Sequence, residues 1–327
     1  MFHPSPTMQE TMKVIGCDFG ASSKAGLQAK KTILIEAERV ADKTYRCHDT
    51  GRNKRLVSHR KLQKKGSSAG WKHNRAGWTI ADLADSLAND ASVMAAGFDF
   101  PFSIPVSLLQ SATFAQVVQQ QTFGNRTTWV AFLKRQLTLH FETEHASSTL
   151  TCLRKVDAWK RQTFWQNRQT DQIAKAQPPL KHVYQNVFNM TLLGNLLLAK
   201  LEVAGFTTVL SKRQLGLSIR PCVEAYPALV AKRIGVMGSY KQQPQQCIQK
   251  AVDWLAQQGI TLQLTDKLKT ACETYQTAEN DFDAADALLC LVTSICVLEG
   301  QAEILVGSAD ETVQLQEGGI VVPAVKS

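Results

Sequence analysis

The chain has 327 residues, 44% apolar and 20% charged, a balance that suits a globular protein and not a disordered or fibrous one. No run of eighteen apolar residues occurs and the first residues carry no signal-like apolar stretch, so a cytoplasmic protein without a membrane partner is expected. The net charge of +9 is lopsided: residues 1–78 hold 16 Lys and Arg against 6 Asp and Glu, the remainder 21 against 22.

In chain order, residues 13–19 read as a buried first strand. Residues 32–37 and 43–48 read as the next two, an N-terminal antiparallel set separated by the flexible turn 20–26. Residues 50–78 are polar and basic without a steady period, a loop insertion in which Trp71 and Trp78 alternate with Lys72, His73 and Arg75. Aromatics among cations stack on bases, and a local positive field draws a polyanion. A solvated loop whose tryptophans anchor it to the core is the other reading. The candidate nucleic-acid contacts are Lys54, Arg55, Arg60, Lys61, Lys64, Lys65, Lys72 and Arg75.

Residues 79–89 carry Ile80, Leu83, Ala84 and Leu87 at helical spacing and lead into a strand at 93–98, an α/β arrangement. Residues 106–204 are a mainly helical insertion. Its clearest helix is 182–204, with the stripe Val183, Val187, Met190, Gly194, Leu197, Leu201 and Ala204. The cations of 152–168, Arg168 among them, stand with Trp159, Phe164 and Trp165; an extension of the basic groove is one reading, a solvated helix face the simpler one. Strand character returns at 207–210 and 218–224, and Pro227 suits the first turn of a helix. Further helices span Pro244 to Gly259, with Ile248, Val252 and Leu255 inward, and Phe282 to Glu299, stopped by Gly300. Residues 303–307 and 320–322 read as short strands. One elaborated domain accounts for the whole.

Carboxylates stand where apolar runs end. Asp18 closes Val14-Ile15-Gly16-Cys17, Asp99 closes Val93–Phe98, and Glu224 closes Pro221-Cys222-Val223. Asp283 and Asp286 share one face of the late helix, and Asp286 precedes the apolar stretch Ala287–Val292. A carboxylate against such a surface is costly unless it is paired or binds a metal. Gly16 and Gly97 each stand two residues before an acid and would leave room for an ion or a phosphate beside it, and Gly20 would let backbone approach a ligand. Capping and the helix dipole are the plainer account of Asp283, and a turn-capping role that of either strand-end Asp alone. Together, Asp18, Asp99, Glu224, Asp283 and Asp286 are the candidate ligands of Mg²⁺ or Mn²⁺, with two ions about 4 Å apart suited to phosphodiester hydrolysis. The eight cysteines form no CxxC pair and the histidines lack ligand spacing, so a reduced protein without zinc is expected.

The segments Ile15–Ala21, Gly97–Phe102, Glu224–Pro227, Asp286–Cys290 and Glu317–Pro323 resemble, in order, the signatures of domain of unknown function 429, a family of predicted nucleases with a ribonuclease H-like fold. The resemblance implies a mixed five-stranded sheet of order 3-2-1-4-5 flanked by helices, and an active site of Asp18, Asp99, Glu224 and Asp286. It does not extend over 50–78 or 106–204. Asp18–Lys24 also resembles the phosphate loop of actin-like sugar kinases, which would make the chain an ATP-dependent phosphotransferase. The glycine pair such enzymes use for adenosine is missing, since Gly318-Gly319 falls almost at the end of the chain. A non-catalytic nucleic-acid-binding protein is the third reading.

Overall fold

The computed structural model describes residues 12–20, 32–49, 78, 80–117, 122–137, 162–181, 187–274 and 283–325, with backbone alone at 48–49, 136–137, 273–274 and 283. Strands β1 (Met12–Asp18), β2 (Ile33–Ala41) and β3 (Thr44–Asp49) form an antiparallel meander. Helix α1 (Ile80–Ala88) buries Ile80, Leu83, Ala84 and Leu87 and returns the chain so that β4 (Val93–Phe98) runs parallel to β1. The sheet continues with β5 (Thr207–Thr208), β6 (Pro221–Ala225), β7 (Thr261–Leu264), β8 (Ala302–Leu305) and β9 (Ile320–Pro323). Its order is β7-β3-β2-β1-β4-β6-β9-β8, with β5 beside β6.

The protein is therefore α/β with a mixed sheet, but that sheet has nine strands where the resemblance implied five. The extra strands are all short: β5, β7, β8 and β9 have two to four residues each. Strand β7 joins β3 in parallel, and its four residues carry too brief an alternation to be read locally.

Helices cover both faces. On one side lie α2 (Val106–Leu109), α3 (Ala112–Val117), α4 (Arg126–Leu137) and α6 (Val187–Val203), around a core holding Phe98, Phe100, Phe102, Phe114 and Trp129. Helix α6 is buried nearly all round, from Phe188 to Leu201, not along the single expected stripe; Met190 is only partly covered. An all-round apolar helix belongs inside a protein, and this one is the centre of its layer. Trp78 is buried in the same core, as an anchor. The remaining basic residues of 50–77, Trp71 and every proposed nucleic-acid contact lie outside the described residues.

On the other side lie α8 (Pro227–Arg233), α9 (Pro244–Gln257), α10 (Asp266–Thr274) and α11 (Asp283–Leu298). Pro227 and Pro244 each open their helix, and Gly300, at φ +66°, follows α11. Helices α5 (Gln169–Ala174), α7 (Lys212–Leu217) and α12 (Glu311–Glu317) complete the set. All seven described cysteines are free and buried, and no described helix is long and apolar enough to cross a membrane.

Helix α11 lies directly on β1 and β4. A Cβ on Gly16 would stand 2.2 Å from the Ala287 carbonyl oxygen and 2.2 Å from the Leu291 nitrogen; one on Gly97 would stand 2.5 Å from the Cys290 carbonyl oxygen. The Ser294 hydroxyl donates to the Ile15 carbonyl at 2.7 Å. The room beside these glycines is thus taken by helix backbone, not kept for a ligand. Gly16→Ala is expected to cost about 3 kcal/mol, because the obstacle is main chain that cannot rotate away. Gly216→Ala, on the exposed α7 with nothing within 4 Å, is expected to be stabilising by about 0.5–1 kcal/mol. Urea unfolding of the two variants measures the contrast.

Candidate functional site

Register brings two of the carboxylates together. Gly16 pairs with Gly97 and Cys17 with Phe98, and the Asp99 amide extends the ladder by donating to the Cys17 carbonyl at 3.1 Å. Asp18 and Asp99 are the next step of that parallel pair, with backbones about 4.8 Å apart. Side chains alternate across a strand, so both acids fall on the face of Gly16 and Gly97, the face that α11 covers. The aromatic row confirms the phase. Phe98, Phe100 and Phe102 go to the opposite core, with neighbouring ring centroids 5.4 and 5.3 Å apart.

Asp286 arrives from the first turns of α11, one residue before Ala287 and one turn before Cys290, the residues seated on the two glycines. It is buried and bonded to two neighbours on the short 3₁₀ turn Tyr240–Gln242. The Tyr240 hydroxyl donates to Oδ1, and the Lys241 ammonium sits on Oδ2 at 2.9 Å. Burial alone would lower the Lys241 pKa, but Asp286, Asp18 and Asp99 outweigh it and hold the ammonium above its ordinary value. Burial, then Asp286, Asp99 and Asp18, push the Tyr240 phenol up. Burial leads for Tyr226 as well, with Asp99, Asp171 and Asp286 adding to it and Lys241 opposing. The charges of Asp18, Asp99 and Asp286 thus all act on Tyr240 and Lys241, on the side of the carboxyl ends of β1 and β4, where open α/β sheets take ligands.

Glu224 goes elsewhere. It pairs with Phe98 across β4 and β6, not with Asp99, and so shares Phe98's face of the sheet. There it accepts from the Phe102 amide at 2.8 Å and from Arg168 Nη1 at 2.7 Å, with Nη2 on its other oxygen. Arg168 is wholly buried, in contrast to the solvated face expected for it. It also binds Asp171 and donates to the Glu317 carbonyl at 3.0 Å. Burial pushes the Glu224 carboxyl up, and the Arg168 guanidinium and Phe102 amide oppose that rise. Glu317 accepts from the amides of Val106 and Gln169, both at 3.0 Å. These bonds tie β6, the loop after β4, the start of α5 and the end of α12 into one buried knot. It is a structural arrangement apart from the Asp18–Asp99–Asp286 group.

The side chain of Asp283 lies outside the described residues. The Gly20 amide donates to the Thr32 hydroxyl at 3.1 Å, so that N–H is already engaged within the protein. Among the described residues, no three His, Cys, Asp or Glu side chains are set around a common point as metal ligands. The donor chemistry is that of a hard divalent ion, carboxylate oxygen only: Asp286 is bonded to Lys241, and the charges of Asp18 and Asp99 also act on that ammonium. Tyr240 and Lys241 escaped sequence reasoning because a Tyr-Lys pair in a polar connection carries no pattern. Comparison with family models, curated proteins and solved structures finds no match.

Proposed function

We propose that the chain is a divalent-metal-dependent hydrolase of phosphodiester bonds in nucleic acid, built on a ribonuclease H-like core. The observation that carries this reading is the placement of Asp18 and Asp99 side by side at the ends of adjacent parallel strands, with Asp286 brought to them by α11. The path β3-β2-β1-β4-β6, antiparallel twice and then parallel twice, supports the fold part of the proposal, since it matches the implied 3-2-1-4-5 order once the two-residue β5 is set aside. The excess charge of residues 1–78 supports the polyanionic substrate.

In this reading Asp18, Asp99 and Asp286 hold Mg²⁺ or Mn²⁺, and Glu224 holds the fold. The bound ion supplies Lewis acidity for water activation and leaving-group stabilisation. The chain's own part is to fix the carboxylates. The β1–β4 ladder sets two of them, the packing of α11 on Gly16 and Gly97 sets the third, and the Tyr240 hydroxyl orients the Asp286 carboxylate.

The test is a panel of single-stranded, duplex and branched DNA and RNA, incubated with the full chain and Mn²⁺ or with EDTA. Strand cleavage that requires the ion is the expected result. Nucleotide hydrolysis without cleavage would point instead to the actin-like phosphotransferase. Salt-sensitive binding alone would point to a nucleic-acid-binding protein.

A further inference from the structure

Lys241 introduces a positive charge where the proposed function places an ion. Its ammonium lies 2.9 Å from Asp286 Oδ2, on the face of the sheet that carries Asp18 and Asp99. The turn that carries it is pinned by its neighbour, Tyr240, which is buried and donates to the other oxygen of the same carboxylate. Lys241 itself keeps access to solvent. Its side chain is 38% exposed, and its nitrogen stands 5.6 Å from the centre of the Tyr240 ring. A flexible four-carbon stem lets a partly exposed ammonium swing to water once another cation takes its place on the carboxylate.

Gathered carboxylates repel one another, and a cation among them offsets that cost. A divalent ion would do the same work at the same oxygens. We infer that Lys241 is a resident counter-ion of the carboxylate site, and that its ion pair with Asp286 and the uptake of a divalent metal ion at that carboxylate exclude one another. The inference rests on the metal reading above and adds a residue to it. Lys241 sets how tightly the site takes its ion, and keeps the carboxylates together when none is bound.

The experiment is a titration of the full chain with Mn²⁺, read by calorimetry or by the spectrum of free Mn²⁺, with no nucleic acid present. Lys241→Met is expected to tighten Mn²⁺ binding by about tenfold or more. It is also expected to lower the melting temperature of the metal-free protein and to enlarge the rise in melting temperature that Mn²⁺ produces. Lys241→Gln serves as a second neutral replacement and is expected to act in the same direction. Lys241→Arg, which keeps the charge, is expected not to tighten binding. Lys250→Met, on the exposed side of α9, is the control and is expected to leave affinity unchanged. Equal or weaker Mn²⁺ binding in both neutral variants, beside clear binding by the unaltered chain, overturns the role of Lys241 and leaves the metal site standing. Absence of Mn²⁺ binding in the unaltered chain and in both neutral variants overturns both.

Discussion

Asp18→Asn is expected to reduce metal-dependent strand cleavage by about a thousandfold or more, equivalent to ~4 kcal/mol of transition-state stabilisation, with the protein still folded. Asparagine keeps the size of aspartate and one acceptor oxygen, and the β1–β4 ladder that positions it is main chain. What it loses is the charge that would hold the ion. Asp99→Asn should match it, because the β1–β4 register makes the two acids neighbours on one face. Both variants are expected to remain folded under the assay conditions. Single-turnover cleavage of a labelled substrate and a thermal melt on the same preparation give both numbers. Cleavage within tenfold of the original, in a variant that binds its substrate, would remove Asp18 from the mechanism.

Arg168→Met is expected to cost about 3–5 kcal/mol of stability, with no direct effect on the Asp18–Asp99–Asp286 group. Arg168 is fully buried and bridges Glu224 and Asp171, which are 3% and 0% exposed. Methionine fills much of the space and leaves both carboxylates without their guanidinium. Burial already pushes the Glu224 carboxyl up, and Arg168 is what chiefly opposes that rise, so in the variant the folded-state pKa of Glu224 rises further above its unfolded value. A group raised in this way is best tolerated below its unfolded pKa and costs stability as pH rises through its folded value. The deficit should therefore be largest near neutrality and shrink as pH falls toward about 4. Adding Glu224→Gln removes one of the two charges and should recover part of the loss. Denaturant unfolding at several pH values measures this. A flat pH dependence together with a cost below about 1 kcal/mol would show that the knot is not what holds β6 to its surroundings.

Much of the architecture was legible in the chain itself. The three N-terminal strands, the four buried residues of α1 and the bounds of β4 follow from local period and capping. So do the proline starts of α8 and α9 and the run of α11. The pairing of Asp18 with Asp99 was half legible, since two Gly-x-Asp strand ends with like alternation invite a shared face. The purpose of those glycines was not. They admit α11, and only a docked helix reveals that.

The residues themselves determined that Asp18 and Asp99 stand beyond apolar strands, that Asp286 opens an apolar helix, and that Glu224 ends another strand. Each of these depends on near neighbours in the chain, where side-chain period and terminus chemistry act. Which carboxylates meet was decided by the tertiary structure alone. In the β4–β6 ladder Glu224 falls level with Phe98 instead of Asp99, and because side chains alternate every residue, that single step sends it through the sheet to Arg168. The same holds for Arg168, polar in sequence and buried in the fold, and for Lys241, which reaches Asp286 across 45 residues. Charges pair through space, and no local pattern encodes the partner.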